Sequence, residues 1–98
     1  MSTNEQPVFE VRLRSRRVQE ELDVLQEADY ERVVIKLRAL AKAPRPRGCE
    51  KLYDAIYRIR VGDFRIIYLI DETNKRIEVG GIRRRTESTY KGIDELFR

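Results

Sequence analysis

The 98-residue chain contains no histidine and only one cysteine, Cys49. Lack of histidine excludes Ser-His-Asp hydrolysis, Cys-His chemistry and the HExxH metal site, and removes the commonest general base near neutral pH. Any catalysis must use other side chains. A single cysteine excludes an internal disulfide framework and a multi-thiolate zinc site, and a thiol with no imidazole to activate it is a poor nucleophile. Long apolar runs are also missing. The longest, Ile-Ile-Tyr-Leu-Ile over residues 66–70, falls far short of the ~18 residues that suggest a membrane span. The polar start, Met1 to Pro7, has neither an apolar signal core nor a basic transit helix. No repeat or low-complexity tract interrupts the chain. The expectation is one soluble, cytoplasmic domain over residues 1–98, with residues 1–6 as a flexible tail. Its length suffices to bury roughly 65% of the unfolded surface in one modest core.

Charge, by contrast, is plentiful and unevenly placed. The formal net charge is +4, yet residues 1–40 carry seven Lys/Arg against eight Asp/Glu, and residues 41–98 carry fourteen against nine. The basic character therefore lies in the second half. Arginine outnumbers lysine sixteen to five, and its planar fork suits bidentate phosphate contact and stacking on bases.

Periodicity gives the order of elements. Phe9, Val11 and Leu13 alternate with polar residues over 8–13, a half-buried strand. Ser15 can cap a first helix with Val18, Leu22 and Leu25 as its apolar stripe. Asp29 can cap a second, carrying Tyr30, Val33, Val34, Leu37, Leu40 and Ala41. Pro44 and Pro46 end it and enforce an extended basic loop over residues 43–48. The period then changes to two: residues 55–61, 64–70 and 76–82 predict three strands whose short turns imply antiparallel pairing. In the tail, Tyr90, Ile93, Leu96 and Phe97 have a spacing compatible with a short final helix. The fold class is α+β: strand, helix, helix, three antiparallel strands, with the helical hairpin on one face of a small twisted sheet. The other face is expected to be free for function.

A two-residue turn at Gly62-Asp63 makes the numbers of opposed residues sum to 125. One side of the hairpin then collects Ala55, Tyr57, Ile59, Val61, Phe64, Ile66, Tyr68 and Ile70, the expected core. The other collects Arg58, Arg60 and Arg65 at the turn end, with Ile56, Ile67 and Leu69 behind them. Arg60 opposite Arg65 is poor for stability, since opposite charges there would have gained roughly 0.2–1 kcal/mol. A polyanionic ligand relieves the repulsion; so would neutralisation by Asp54, Asp63 or Glu78, as on an ordinary solvated face. A second basic cluster, Arg83-Arg84-Arg85, ends the last strand, and Tyr90 follows. Phosphate clamps beside a ring on which a base can stack are the combination expected of a single-stranded RNA site. Tyr90 has a second reading as an anchor of the C-terminal segment. Arg45, Arg47 and Lys51 in or beside the basic loop either touch RNA or acidic partner groups, or belong to a solvated linker.

The string Tyr57-Arg58-Ile59-Arg60-Val61-Gly62-Asp63-Phe64-Arg65-Ile66-Ile67-Tyr68, followed by Ile82-Arg83-Arg84-Arg85 and Tyr90, resembles the RelE/ParE superfamily of bacterial and archaeal toxins. The likeness spans nearly the whole chain. It implies a toxin of a type II toxin–antitoxin system. In the RelE branch this is a ribosome-dependent mRNA endoribonuclease, acting without a cofactor on mRNA in the decoding site and held inactive by an antitoxin protein. In the ParE branch it is a poison of DNA gyrase. The basic positions of the RelE branch fall on Arg58, Arg60 and Arg65, its later arginine on Arg84 or Arg83, and its catalytic tyrosine on Tyr90; Arg83 and Arg85 join the expected RNA contacts. Arg58 and Arg60 stand where the best-known members have lysine, and arginine is a poor proton acceptor. The implied chemistry is attack of a ribose 2′-hydroxyl on the adjacent phosphate, without metal. A gyrase binder and a noncatalytic RNA-binding module are the alternatives.

Overall fold

A computed structural model describes residues 8–84 and 96–97. At the centre of its sheet, β3 (Ile56–Val61) and β4 (Phe64–Asp71) form an antiparallel hairpin. Gly62 has φ of 60°, a positive value that glycine adopts without steric cost and that a two-residue hairpin turn needs. Val61 faces Phe64, Ile59 faces Ile66 and Tyr57 faces Tyr68. This is the register expected from the turn, and it sorts the apolar side chains onto one face.

Five strands assemble in the order β1-β5-β4-β3-β2. The first, β1 (Glu10–Leu13), runs parallel to β5 (Arg76–Arg84), while the remaining pairs are antiparallel. Between β1 and the hairpin lie α1 (Arg16–Asp23) and α2 (Glu27–Lys42). Val18 and Leu22 of α1 and Val33, Leu37 and Leu40 of α2 join Phe9, Ile59, Ile66, Tyr68, Ile77 and Val79 in the main core. The helical hairpin on one sheet face is thus as expected.

Several local expectations are corrected. The second helix starts earlier than Asp29: Gln26 is its N-cap, and Glu27 and Asp29 lie in the first turn, where acidic groups complement the helix dipole. Tyr30 stands outside the buried stripe, 40% exposed. At the other end Ala43, with φ −139° and ψ 87°, is held out of the helical region by Pro44, which ends α2. The first strand begins at Glu10, and the last runs on to Arg84.

An additional edge strand, β2 (Glu50–Tyr53), pairs with β3 through a register shift between Lys51 and Tyr53. Its sequence, Glu-Lys-Leu-Tyr, lacks alternation because it is a short edge strand with an irregularity, two devices that blunt an exposed edge. Asp54, at φ 51°, turns the chain from β2 into β3, a conformation that aspartate tolerates better than most residues.

The second sheet face is only partly open. Ile56 and Ile67 are buried there beneath Leu52, Leu69, Leu96 and Phe97. Room for the last two comes from Gly80 and Gly81. A Cβ on Gly80 would collide with the Phe97 ring, and one on Gly81 would lie 3.6 Å from Leu96. The register of β4 on β5 shifts at the same point, with Ile67 opposite Gly81 but Tyr68 opposite Val79. The shift lets Val79 and Ile82 both reach the main core while both glycines face the tail. The face therefore divides into an apolar half covered by the chain end and a basic half at the turn end. Apart from Leu96 and Phe97, the expected final helix lies outside the described residues, as do Arg85, Tyr90 and the N-terminal tail. Among the described residues no helix is long and apolar enough to cross a membrane.

Gly80→Ala is expected to destabilise the fold by about 1–3 kcal/mol, as overpacking of a filled contact does. In a domain of this size about 1 kcal/mol lowers the melting temperature by roughly 4–8 °C; adding Phe97→Ala to Gly80→Ala should remove the clash, so that the two changes are not additive in a thermal unfolding series.

Candidate nucleic-acid interface

Strand register brings the arginines together. Arg60 lies opposite Arg65 on β3–β4, and Arg65 lies opposite Arg83 on β4–β5. Three like charges thus stand side by side across three adjacent strands, on the face away from the helices. Neighbouring strands are about 4.8 Å apart, so the row forgoes at both contacts the roughly 0.2–1 kcal/mol that opposite charges would gain. Arg58 projects from the same face one pleat away, opposite Ile67. Gly48, Glu50, Arg58, Arg60 and Arg65 line a concavity of about 250 Å³.

Arg83 and Arg84, which sequence spacing does not separate, part company here. Arg84 is opposite Phe64, on the helix-side face, with its guanidinium carbon 5.1 Å from the Phe64 ring centre. It shares a groove of about 650 Å³ with Asp29 and Asp63, between the end of α1 and the hairpin tip. Arg84 does not share the face of Arg65; Arg83 does by register, although its side chain turns to Glu21 and lines the same groove as Arg84.

The acids beside these arginines are not those the sequence suggested. Glu78 is engaged at the other end of the sheet with Arg14 and Arg76. Glu50 of β2 accepts a hydrogen bond from Arg58 Nε at 2.6 Å and also pairs with its Nη2. Glu21 of α1 pairs with Arg83 Nε at 3.3 Å and with Arg17 at 2.9 Å, and its other oxygen accepts the Ile82 backbone N–H at 2.9 Å. Arg17 donates to the Gly80 carbonyl at 3.4 Å. With β1 ending at Leu13, the β5 edge beyond Val79 has no strand neighbour among the described residues, and two α1 side chains satisfy backbone groups there. Neither acid was legible beforehand: Glu50 needed the unrecognised edge strand, and Glu21 lies 61 residues from its partner Ile82.

The basic loop is fastened rather than loose. Tyr68 donates its hydroxyl to the Pro44 carbonyl at 2.8 Å. Arg45 donates to the Tyr57 hydroxyl at 3.0 Å, lies 5.3 Å over its ring and pairs with Glu72 at 2.8 Å. Tyr57 and Tyr68 stack with centroids 6.0 Å apart. Tyr57 and Glu72 hold Arg45 more firmly protonated than usual. Arg45 is thereby committed to the side of Tyr57, not to the arginine row. Lys51 is exposed and also in register with Tyr57; Arg47 is exposed on the loop. Cys49 is half-buried and packs on the main core.

A family model for the ParE toxin of type II toxin-antitoxin systems, parDE, matches residues 12–89. The chain belongs to this toxin family. Among solved structures the toxin resembles a chain of the archaeal RelE–RelB complex from Pyrococcus horikoshii OT3, with a TM-score of 0.75 and 27% identity, over 83% of this chain and 99% of that one. A chain of the toxin–antitoxin complex RelBE2 from Mycobacterium tuberculosis gives 0.71 and 19%, over 87% and 100%. A mutant of the E. coli toxin RelE in the free state gives 0.77 and 15%, over 93% and 99%. These last two are likenesses of fold. Comparison with curated proteins finds no match. The toxin is thus a member of the RelE/ParE superfamily with a RelE-like structure, and a toxin of a type II toxin–antitoxin system.

The Tyr68 contact predicts an alkaline limit to stability. Burial is the largest cause, followed by Cys49, of a Tyr68 hydroxyl pKa well above the ordinary 10. The unfolded chain therefore loses this proton at lower pH than the folded one. Stability from this group is complete below pH 10 and falls as the pH rises beyond it. Tyr68→Phe should lower stability near neutrality by about 1–2 kcal/mol, through the unpaired Pro44 carbonyl, and should flatten the decline above pH 10 in a urea-midpoint series.

Proposed function

We propose that the toxin is a ribosome-dependent mRNA endoribonuclease that cleaves by attack of a ribose 2′-hydroxyl on the adjacent phosphate. The observation that carries this reading is the in-register row of Arg60, Arg65 and Arg83, with Arg58 beside it, on the face opposite the helices. Such a row gathers guanidinium groups on one surface, an arrangement suited to a phosphate chain.

In the reaction the 2′-oxygen forms a bond to phosphorus while the bond to the 5′-oxygen breaks. The products are a 2′,3′-cyclic phosphate and a 5′-hydroxyl. The 2′-hydroxyl proton must leave, and the 5′-oxygen must gain one. Arg65 and Arg83 are assigned to the charge that develops on the pentacovalent phosphate. Arg58 and Arg60 orient the RNA backbone. Tyr90 is assigned to stacking on a base or to proton transfer. Arg47, Arg85 and Lys51 are assigned to outlying RNA contacts. Arg45 fits such a role less well, because Tyr57 and Glu72 engage it, and Arg84 faces the helix-side groove. Arginine stays protonated and serves poorly as a base. Proton transfer is then slow until a large partner orders the RNA, which is the rationale for dependence on the ribosome.

A cognate antitoxin is the second partner in this reading. The Pyrococcus horikoshii and Mycobacterium tuberculosis relatives were solved as toxin–antitoxin complexes. Val24 and Ile35 on the helical hairpin, 78% and 65% exposed, are apolar positions that such a partner can cover. Gyrase poisoning is the alternative target activity, favoured by the ParE family model and by arginine at positions 58 and 60.

Purified toxin added to programmed ribosomes should cut the mRNA, with 5′-hydroxyl ends on mapping. Arg65→Ala and Arg83→Ala should each lower the cleavage rate by about 10²-fold or more with unchanged melting temperature, whereas Arg84→Ala should cost far less. Full cleavage by Arg65→Ala and Tyr90→Phe, or inhibition of gyrase supercoiling with no RNA cut, would overturn the assignment.

A further inference from the structure

Across the turn end of the sheet, from β2 through β3, β4 and β5 to α1, the charged residues run Glu50, Arg58 and Arg60, Arg65, Arg83, Glu21. A carboxylate closes the series at each end. The Arg58 side chain is 18% exposed and Glu50 60%, so the acid lies on the solvent side of the guanidinium it holds. At the opposite end the Arg83 side chain folds back over Gly81, its Nε within 3.4 Å of where a Cβ would be, to reach Glu21. Carboxylate and phosphate oxygens use the same guanidinium donors. Each acid therefore engages a guanidinium that a backbone phosphate would also seek.

We infer that Glu50 and Glu21 are intramolecular competitors of RNA phosphate, which must release Arg58 and Arg83 before the face binds a strand and which thereby set its affinity. The inference rests on the functional reading above and adds two residues to it. A phosphate that displaces a carboxylate exchanges one neutralised pair for another. Net ion release on binding is then smaller than the number of arginine–phosphate contacts implies. Glu21 also has a structural task, the hydrogen bond from Ile82 N–H, and an amide oxygen can retain it. Glutamine thus removes the competing charge while keeping the closure of the β5 edge.

The test uses the full chain and a single-stranded oligouridylate, with affinity measured over a salt series and melting temperature measured beside it. Glu50→Gln and Glu21→Gln should each bind several-fold more tightly than wild type. Each should also steepen the slope of log affinity against log salt, by up to about 0.7 for the competing charge removed. Glu31→Gln changes the net charge equally from an exposed position on α2, across the sheet, and should leave the slope unaltered. Unchanged or weaker binding by both variants at unchanged melting temperature overturns the inference alone. A wild-type chain that binds no oligouridylate even at low salt overturns the functional reading along with it. If Glu21→Gln loses the fold, Glu50→Gln, on an exposed edge side chain, decides by itself.

Discussion

The parity of the β3–β4 hairpin governs the rest of the molecule. Two residues, Gly62 and Asp63, connect the strands, and with side chains alternating at every step this count decides which face each of them takes. Tyr57, Ile59, Val61, Phe64, Ile66, Tyr68 and Ile70 go to the helices, while Arg58, Arg60 and Arg65 go to the other side. One residue more or less in the turn would exchange faces on one strand. Arginines would then meet the helical hairpin, at a desolvation cost of several kcal/mol per unpaired charge. The apolar packing that stabilises the fold is thus also what commits the arginines to the face away from the helices.

On that frame the sheet edges complete the site. An irregular edge strand brings Glu50 to Arg58, and α1 brings Glu21 to Arg83 while satisfying backbone groups that β1 leaves open. The shift of register at Gly80 serves two ends. It keeps Ile82 in the core and opens a bed for Phe97, so that Leu96 and Phe97 cover the apolar half of the face away from the helices. The basic and the tail-facing surfaces are in this way adjacent halves of one sheet side. Changes that loosen the chain end should therefore alter the border of the basic surface as well as stability.

The loop between α2 and β2 has an unexpected character for a segment so rich in proline and arginine. Its backbone is tied through Pro44 to Tyr68 and its side chain Arg45 to Tyr57 and Glu72. Two phenols read from the sequence as core packing carry this second task at their polar ends. Amphipathic rings suit such a place, with the ring among apolar neighbours and the hydroxyl at the border.

Local pattern by itself determined the order of the main elements, the hairpin register and the side taken by Arg58, Arg60 and Arg65, because each follows from the spacing of neighbouring residues along the chain. It also supported the family likeness that the match over residues 12–89 then established. Only tertiary structure decided that Arg83 rather than Arg84 stands beside Arg65, that Glu50 and Glu21 are the acids at the ends of the row, and that the chain end covers half of the open face. These depend on a one-residue shift between strands and on contacts between residues far apart in sequence, where small gains in packing and hydrogen bonding select one arrangement among several that local periodicity permits.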